Sequence, residues 1–199
     1  MSTFLDGSNC KLRLLYDDEE TFKTWCNGVL GSITLEYTLT GSVPMKWMDI
    51  RDEWKKELAA GAIIFGIYDD RRGLVGTSGL YTWYPVYDQA AFRIIIWDKE
   101  AVGRGIGSEV TWMVTDYGFR ALNCHRIWLG VHEDNLGAIK VYERTGYKLE
   151  GVERDAIYCY GKFSNAKKYA MLRPEWEAEC AKRKIKTTGR VKDYSGVEA

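Results

Sequence analysis

The sequence predicts an α+β domain whose central sheet is mixed, mostly antiparallel and covered by helices on both faces. Apolar residues recur at helical spacing in the first third of the chain and then alternate, as in a sheet, over three successive runs. Short turns separate these runs, which favours an antiparallel meander. A helical segment then leads to another alternating run, the connection expected between parallel strands.

The composition is that of a globular domain, with 46% hydrophobic and 28% charged residues in a chain of 199. Lys plus Arg and Asp plus Glu number 28 each, so no overall field attracts nucleic acid. The five cysteines are scattered and only two histidines occur, which argues against a disulfide framework and a metal site. Residues 59–68, the longest largely apolar run, are too short to cross a bilayer, and no targeting segment is recognisable. We therefore expect a cytoplasmic protein with no membrane partner.

The first third of the chain predicts one strand and two helices. Residues 11–15 alternate weakly and form the strand. Asp17 and Asp18 can cap the helix that follows, and residues 45–60 form a second amphipathic helix. The state of the β-friendly segment 33–40 between them stays open.

The meander consists of three predicted strands, at residues 62–68, 74–83 and 90–97. The third strand ends in an apolar run from Ile94 to Trp97. A short polar turn then leads into a glycine-spaced loop.

The loop carries Gly103, Gly105 and Gly107 at alternate positions, directly before a helix. Such a backbone can pass close to a ligand, and the N-terminus of the helix presents free N–H groups that favour an anion. A phosphate-bearing cofactor is one hypothesis, and a tight turn without a ligand is the other. Ser108 stands where the dinucleotide pattern G-x-G-x-x-G has its third glycine, and no G-x-x-x-x-G-K-S/T occurs, so neither of these phosphate motifs is present.

The helix after this loop ends near Asn123 and leads to a strand at residues 126–131, parallel to the third meander strand. A further helix at residues 136–145 is ended by Gly146. Ligands often enter where two parallel strands separate at their carboxyl ends.

Three short strands are predicted to close the domain, at residues 147–152, 156–160 and 167–172. Beyond Trp176 the chain is charged and loses its apolar period. We therefore place the domain at residues 1–176 and a mobile tail at residues 177–199.

A second motif occupies the predicted helix 136–145, where Asn135, Ala138, Tyr142 and Gly146 fit the pattern N-x-x-A-x-x-x-Y-x-x-x-G-F/Y. Together with the loop, which matches Q/R-x-x-G-x-G/A over residues 102–107 in all but its first residue, this motif resembles the GNAT family of acetyl-CoA-dependent N-acetyltransferases. Within that family the chain is most similar to the ribosomal-protein N-terminal and polyamine acetyltransferase branches.

The resemblance implies acetyl-CoA as cosubstrate and a sheet that splays apart at the strand pair that binds it. It implies direct acetyl transfer to a primary amine, either a protein or peptide N-terminus or a small molecule. Tyr142 would be the general acid that returns a proton to the leaving thiolate. The cofactor-binding residues that it implies are Ile95, Ile96, Trp97, Val102, Gly103, Arg104, Gly105, Ile106, Gly107, Ser108, Asn135, Ala138 and Tyr142.

Two positions depart from the family pattern. Val102 replaces the usual glutamine or arginine at the head of the loop, a loss for which Arg104 can compensate. Phe92 stands where these branches often carry a glutamate, so the general base is open, with Asp88 or Asp98 acting through water as alternatives. Neutralising an amine of pKa ~10.4 at pH 7 costs roughly 4.5 kcal/mol, and one of pKa ~8 roughly 1.4 kcal/mol. The missing glutamate therefore tilts the choice slightly toward α-amines or weakly basic amines.

Two other functions stay open. The departures at Val102 and Phe92 are compatible with a non-catalytic sensor that binds an acyl-CoA. The basic residues 182–186 of the tail are compatible with an arm for ribosome or RNA, although the neutral overall charge argues against nucleic acid. A homodimer is an assembly that the sequence leaves open.

Overall fold

The computed structural model describes residues 4–15, 19–30, 47–84, 88–159 and 161–187. Eight strands within this described part form one sheet in the order β1-β2-β3-β4-β5-β6-β8-β7. Only β5 and β6 pair in parallel, and all other neighbours are antiparallel. The strands are β1 (Leu5–Asp6), β2 (Lys11–Leu14), β3 (Ile63–Asp69), β4 (Gly73–Tyr84), β5 (Gln89–Ile96), β6 (Arg126–His132), β7 (Lys148–Cys159) and β8 (Lys162–Leu172).

Helices cover both faces of this sheet, as predicted. The helices of the described residues are α1 (Glu19–Leu30), α2 (Trp47–Ala59), α3 (Ile106–Ala121), α4 (Leu136–Thr145) and α5 (Arg173–Lys182). Neighbouring residues of β3 show the two faces, because successive side chains of a strand point in opposite directions. Ile64 packs with Phe22 of α1 and Trp54 of α2, whereas Phe65 packs in the cluster that contains Val110 of α3.

The main hydrophobic core lies on the α3 face. It joins apolar residues of β3, β4, β5 and β6 to α3 and α4, and it includes Trp176 and Cys180 of α5. Trp97, just after β5, contacts α1 at Gly28, where a side chain would overlap its indole ring. The end of β5 is therefore fixed from both faces.

The structure corrects three details of the sequence interpretation. The short strand β1 was not predicted. The two strands expected at residues 147–152 and 156–160 form the single strand β7, which a bulge between Glu153 and Ile157 interrupts. The boundary that we expected at residue 176 falls inside α5, whose Cys180 is fully buried.

Several sequence interpretations lie outside the described residues. These are the segment 33–40, the capping by Asp17 and Asp18, and residues 188–199 of the expected tail. The described helices include none that is long and apolar enough to span a membrane.

Candidate active site

The central feature of the site is an opening between β5 and β6. These strands pair only over three residues each, from Gln89↔Arg126 to Ala91↔Trp128. Beyond that point β5 stays paired to β4 as far as Ile96, and β6 stays paired to β8 as far as His132. Because each strand is held by its other neighbour, the two separate, and the splayed strand pair that we expected is present.

The open edge of β5 offers backbone hydrogen-bonding groups. Trp97 donates its N–H to the carbonyl of Val75 at 3.1 Å, and the carbonyl of Ile95 is also directed at β4. Since alternate residues of a strand direct their polar groups to opposite sides, Ile94 and Ile96 direct theirs toward the opening. Of the three residues named from the sequence, Ile96 therefore faces the opening, while Ile95 and Trp97 do not. Ile94, which we did not name, joins it.

The glycine loop follows a single 3-10 turn, Lys99–Ala101, which Asp98 caps by accepting the N–H of Glu100 at 2.9 Å. Gly103 and Gly105 both have positive φ, 82° and 83°, the left-handed region that glycine tolerates best. Each of them therefore allows a bend of the loop that another residue would strain.

The N-terminus of α3 leaves donors free at this loop. The first helical hydrogen bond runs from Glu109 N–H to the carbonyl of Gly105 at 3.1 Å. The preceding N–H groups, of Ile106, Gly107 and Ser108, have no acceptor within the helix. Gly105 is the N-cap and has no side chain with which to cap them. Three donors at the positive end of the helix dipole thus form a site for an anion.

The side chains of Val102 and Arg104 were considered from the sequence as contacts to phosphate, and the structure gives each a different setting. Val102 is 57% exposed and has no polar side-chain group. Arg104 is tied to Asp69, with its Nη1 2.7 Å from the carboxylate Oδ2. Backbone N–H groups at Arg71 and Arg72, together with Arg104, hold the pKa of Asp69 below its usual range. The Arg104 charge is therefore already balanced by a carboxylate, which weakens it as a replacement for the residue lost at position 102.

Tyr142 lies on the inner face of α4 and is buried. Its ring makes edge-on contacts with Phe92 of β5 and Tyr147, at centroid distances of 6.2 and 6.1 Å. The Tyr147 hydroxyl is hydrogen-bonded to Thr115 at 2.7 Å, whereas the Tyr142 hydroxyl makes no hydrogen bond to any residue that the structure describes. Burial raises the pKa of Tyr142, so its phenol stays protonated at neutral pH.

Asn135 and Ala138 form the N-terminus of α4. The Asn135 side chain accepts the N–H of Ala138 at 3.1 Å, so it acts as the N-cap. At the other end Gly146 adopts a left-handed conformation, φ 111°, as the sequence predicted for a C-cap. Both ends of the helix that carries Tyr142 are thus fixed locally. The hydroxyl of Tyr169 in β8 also donates to Glu143 at 2.9 Å and ties α4 to the sheet.

None of the three positions considered for a general base fits that role. Phe92 is buried against Tyr142 and Tyr147. A hydrogen bond from Arg72 holds the pKa of Asp98 below its usual range, which makes this carboxylate a weak base. Asp88 precedes the closed end of the strand pair, and four residues of extended chain, roughly 13 Å, separate it from Phe92 beside Tyr142.

One residue of the site region was missed from the sequence. Glu109 lies in the first turn of α3, is 4% exposed, and accepts the N–H of Asn9 at 2.8 Å. It stands three residues after Ile106 and one before Val110, both of which are fully buried. An acidic residue close to apolar ones in the first turn of the predicted helix was a signal for it.

No group of His, Cys, Asp or Glu side chains within the described part of the chain has the arrangement of a metal site. The chemistry available at the opening comes from backbone donors and a buried phenol.

Comparison with known proteins agrees with this geometry. Residues 12–148 match the family model of the acetyltransferase (GNAT) domain. A probable N-acetyltransferase of Bacillus subtilis, YjcK, is 37% identical over 116 residues, which cover 57% of this chain and 63% of that protein. The spermidine N(1)-acetyltransferase of Escherichia coli K12 is 31% identical over 94 residues, 47% of this chain and 50% of that protein. The chain thus matches less than two thirds of the length of either relative.

Solved structures show the same fold. The spermidine N-acetyltransferase of Vibrio cholerae, solved with CoA and spermine, superposes with a TM-score of 0.75 at 22% identity, over 85% of this chain and 99% of that one. The family model covers more than half of the chain, in agreement with both motifs read from the sequence. The chain belongs to the GNAT acetyltransferase family.

Proposed function

We propose that this protein is an acetyl-CoA-dependent N-acetyltransferase that acetylates a primary amine by direct transfer. The observation that carries the proposal is the opening between β5 and β6, which has the first-turn donors of α3 at its loop end and Tyr142 packed on Phe92 of β5. The family membership supports it.

The residues of the opening suit a long, phosphate-bearing thioester. The N–H groups of Ile106, Gly107 and Ser108 would hold the pyrophosphate, because they are oriented donors at a helix N-terminus. The open backbone edge at Ile94 and Ile96 would pair with the amide groups of the pantetheine arm, as a strand would. Acetyl-CoA supplies the activated acetyl group when it is bound.

Tyr142 would return the proton that the departing thiolate needs. Burial keeps its phenol protonated, and no described residue competes for its hydrogen bond. Such a positioned acid typically contributes ~10²–10⁴-fold to the rate. Gly103, Arg104 and Gly105 would shape the loop, and Asn135 and Ala138 would begin the helix beside the cofactor.

The acceptor is a primary amine, for which we propose two classes. Polyamines come first, because relatives of this chain are named for spermidine and spermine. Peptide α-amines come second, because Phe92 stands where a glutamate is often found and an α-amine loses its proton about 3 kcal/mol more cheaply than a primary alkyl amine at pH 7.

The test is a thiol-release assay with acetyl-CoA and a panel of spermidine, spermine, peptides with free N-termini, and N-blocked peptides. We expect release above the hydrolysis background with at least one amine and none with blocked peptides. Calorimetry that shows acetyl-CoA binding while no amine stimulates release would instead support a non-catalytic sensor. Failure to bind acetyl-CoA would refute both functions.

Assembly and location are proposals of the same kind. One structure of the Vibrio cholerae spermidine acetyltransferase is described as dodecameric. Light scattering on this protein would distinguish a monomer, the homodimer left open by the sequence, and a larger assembly. The cytoplasmic location that we expected from the cysteines can be tested by fractionation.

A further inference from the structure

The turn between β1 and β2 encloses a buried carboxylate at the N-terminus of α3. Glu109 accepts the N–H of Asn9 at 2.8 Å, the N–H of Ser8, and the thiol of Cys10 at 3.6 Å. Burial, and then the Glu109 charge, raise the pKa of Cys10, so its thiol stays protonated and donates. Three donors of one short turn thus compensate a charge that would otherwise be costly to bury.

The turn fits tightly around this carboxylate. It is closed by a hydrogen bond from Gly7 N–H to the carbonyl of Cys10 at 2.9 Å. A Cβ added at Gly7 would lie 2.6 Å from the carboxyl carbon of Glu109, so only glycine leaves room there. The side-chain nitrogen of Asn9 lies 3.6 Å from the position of a Cβ on Gly105, which places the turn against the glycine loop.

The position of Glu109 poses a problem for a phosphate site. A carboxylate in the first turn of a helix is attracted by the same free N–H groups that an anionic ligand uses. It would also repel the pyrophosphate through a short distance of protein. The structure resolves this competition because the β1–β2 turn supplies Glu109 with other donors.

We propose that the β1–β2 turn holds Glu109 away from the first-turn donors of α3 and so leaves them for the cofactor pyrophosphate. Glu109 is a positioning residue that touches no substrate, and the inference rests on the proposed function. Its consequence is that a misplaced charge at position 109 harms cofactor binding more than the loss of the side chain does.

Two substitutions distinguish this proposal from a purely structural role, called a brace here, in which Glu109 only holds the β1–β2 turn against α3. Glu109→Asp keeps the charge but shortens the side chain, so the carboxylate can no longer fill the turn. Glu109→Ala removes the charge altogether. We expect calorimetry to show acetyl-CoA binding about tenfold weaker for Asp, equivalent to about 1.4 kcal/mol, and a smaller loss for Ala. A brace would give the opposite order, because Asp retains more of the native contacts, and that order would overturn the proposal.

A second experiment leaves Glu109 itself unchanged. Gly7→Ala should push the carboxylate out of the turn and weaken acetyl-CoA binding, whereas Gly151→Ala is the matched control because a Cβ there would meet no atom within 4 Å. Salt screens repulsion between charges, so the deficit of Gly7→Ala should shrink as KCl is raised. A salt-independent deficit would contradict the inference.

The outcomes also separate this inference from the proposed function. Failure of the unmodified protein to bind acetyl-CoA would refute the proposed function. Normal binding by that protein, with Glu109→Asp binding as tightly as Glu109→Ala or more tightly, would refute only the role of Glu109. The KM for the amine should stay constant in every variant, because the turn lies at the phosphate end of the opening.

Discussion

Tyr142→Phe removes one oxygen atom and leaves the packing of α4 intact. The contacts of the ring with Phe92 and Tyr147, at centroid distances of 6.2 and 6.1 Å, are edge-on contacts that phenylalanine retains. The hydroxyl makes no hydrogen bond to a described residue, so its loss leaves no such partner unsatisfied. We therefore expect the free energy of unfolding to change by less than about 0.5 kcal/mol.

The catalytic effect should be much larger. If the phenol supplies the proton of the leaving thiolate, kcat should fall about 100-fold or more, equivalent to at least about 2.7 kcal/mol of transition-state stabilisation. The dissociation constant of acetyl-CoA should stay within about twofold, because the backbone donors that would hold the pyrophosphate and pantetheine are unchanged. Steady-state thiol release measures the first quantity and calorimetry the second.

Tyr147→Phe is the matched control. It also removes one phenolic oxygen from the same ring cluster, but this oxygen is hydrogen-bonded to Thr115 at 2.7 Å. The control should therefore lose about 1 kcal/mol of stability and keep its kcat. The reasoning is refuted if Tyr142→Phe keeps kcat within about threefold, or if both variants lose activity equally.

Three further substitutions test other parts of the structure. Gly105→Ala places a Cβ at φ 83° and should cost about 1–2 kcal/mol in thermal unfolding while it raises the KM for acetyl-CoA. Asp98→Asn removes the partner of Arg72; since that hydrogen bond lowers the folded-state pKa, the wild-type advantage in urea unfolding should be present above about pH 4 and vanish as the pH falls through the folded-state pKa. Asp116→Asn removes the fully buried carboxylate that contacts Arg120 at 2.8 Å and should cost about 3–5 kcal/mol, with kcat preserved at temperatures where the protein is folded.

The regular part of the fold was predictable from local chemistry. Alternation and short turns located β3, β4 and β5, and helical spacing located α2 and α3. These signals come from the spacing of apolar residues along each segment and from the turn residues between segments, so they need no knowledge of the tertiary contacts that bury both faces of β3.

The parts that were missed depend on contacts between distant residues. β1 has two residues, too few to show an alternation of apolar and polar side chains, and it is a strand because it pairs with β2. The helix α5 continues past Trp176 because its buried side chains meet α3, where the Trp176 indole donates to Asp116 at 2.9 Å. The sequence shows one tryptophan followed by charged residues, and this local pattern does not reveal that Asp116 accepts a hydrogen bond from the Trp176 indole.

The candidate site remains a prediction whose parts have different origins in the sequence. The glycine loop, Asn135 and Tyr142 could be named because their motifs reflect local conformation; the loop follows β5, Asn135 follows β6, and Tyr142 contacts Phe92 of β5. The direction of each backbone group on β5 could not be named, since it depends on the register with β4, which fixes Ile94 and Ile96 toward the opening. Glu109 was missed because its partners come from a turn a hundred residues earlier in the chain.

Phe92 shows how the sequence departure and the geometry combine. It packs between Tyr142 and Tyr147 and is 3% exposed, so a carboxylate in its place would be desolvated beside two rings and would resist ionisation. In this chain position 92 therefore packs against Tyr142, the proposed acid, and supplies no base. If proton loss falls to the acceptor amine and solvent, the rate should rise with pH until the amine itself is neutral. Among amines that fit the opening equally well, those of lower pKa should then react faster at neutral pH, because a larger fraction of each is neutral. A steep dependence of rate on amine pKa across the panel would indicate that the protein contributes little as a base.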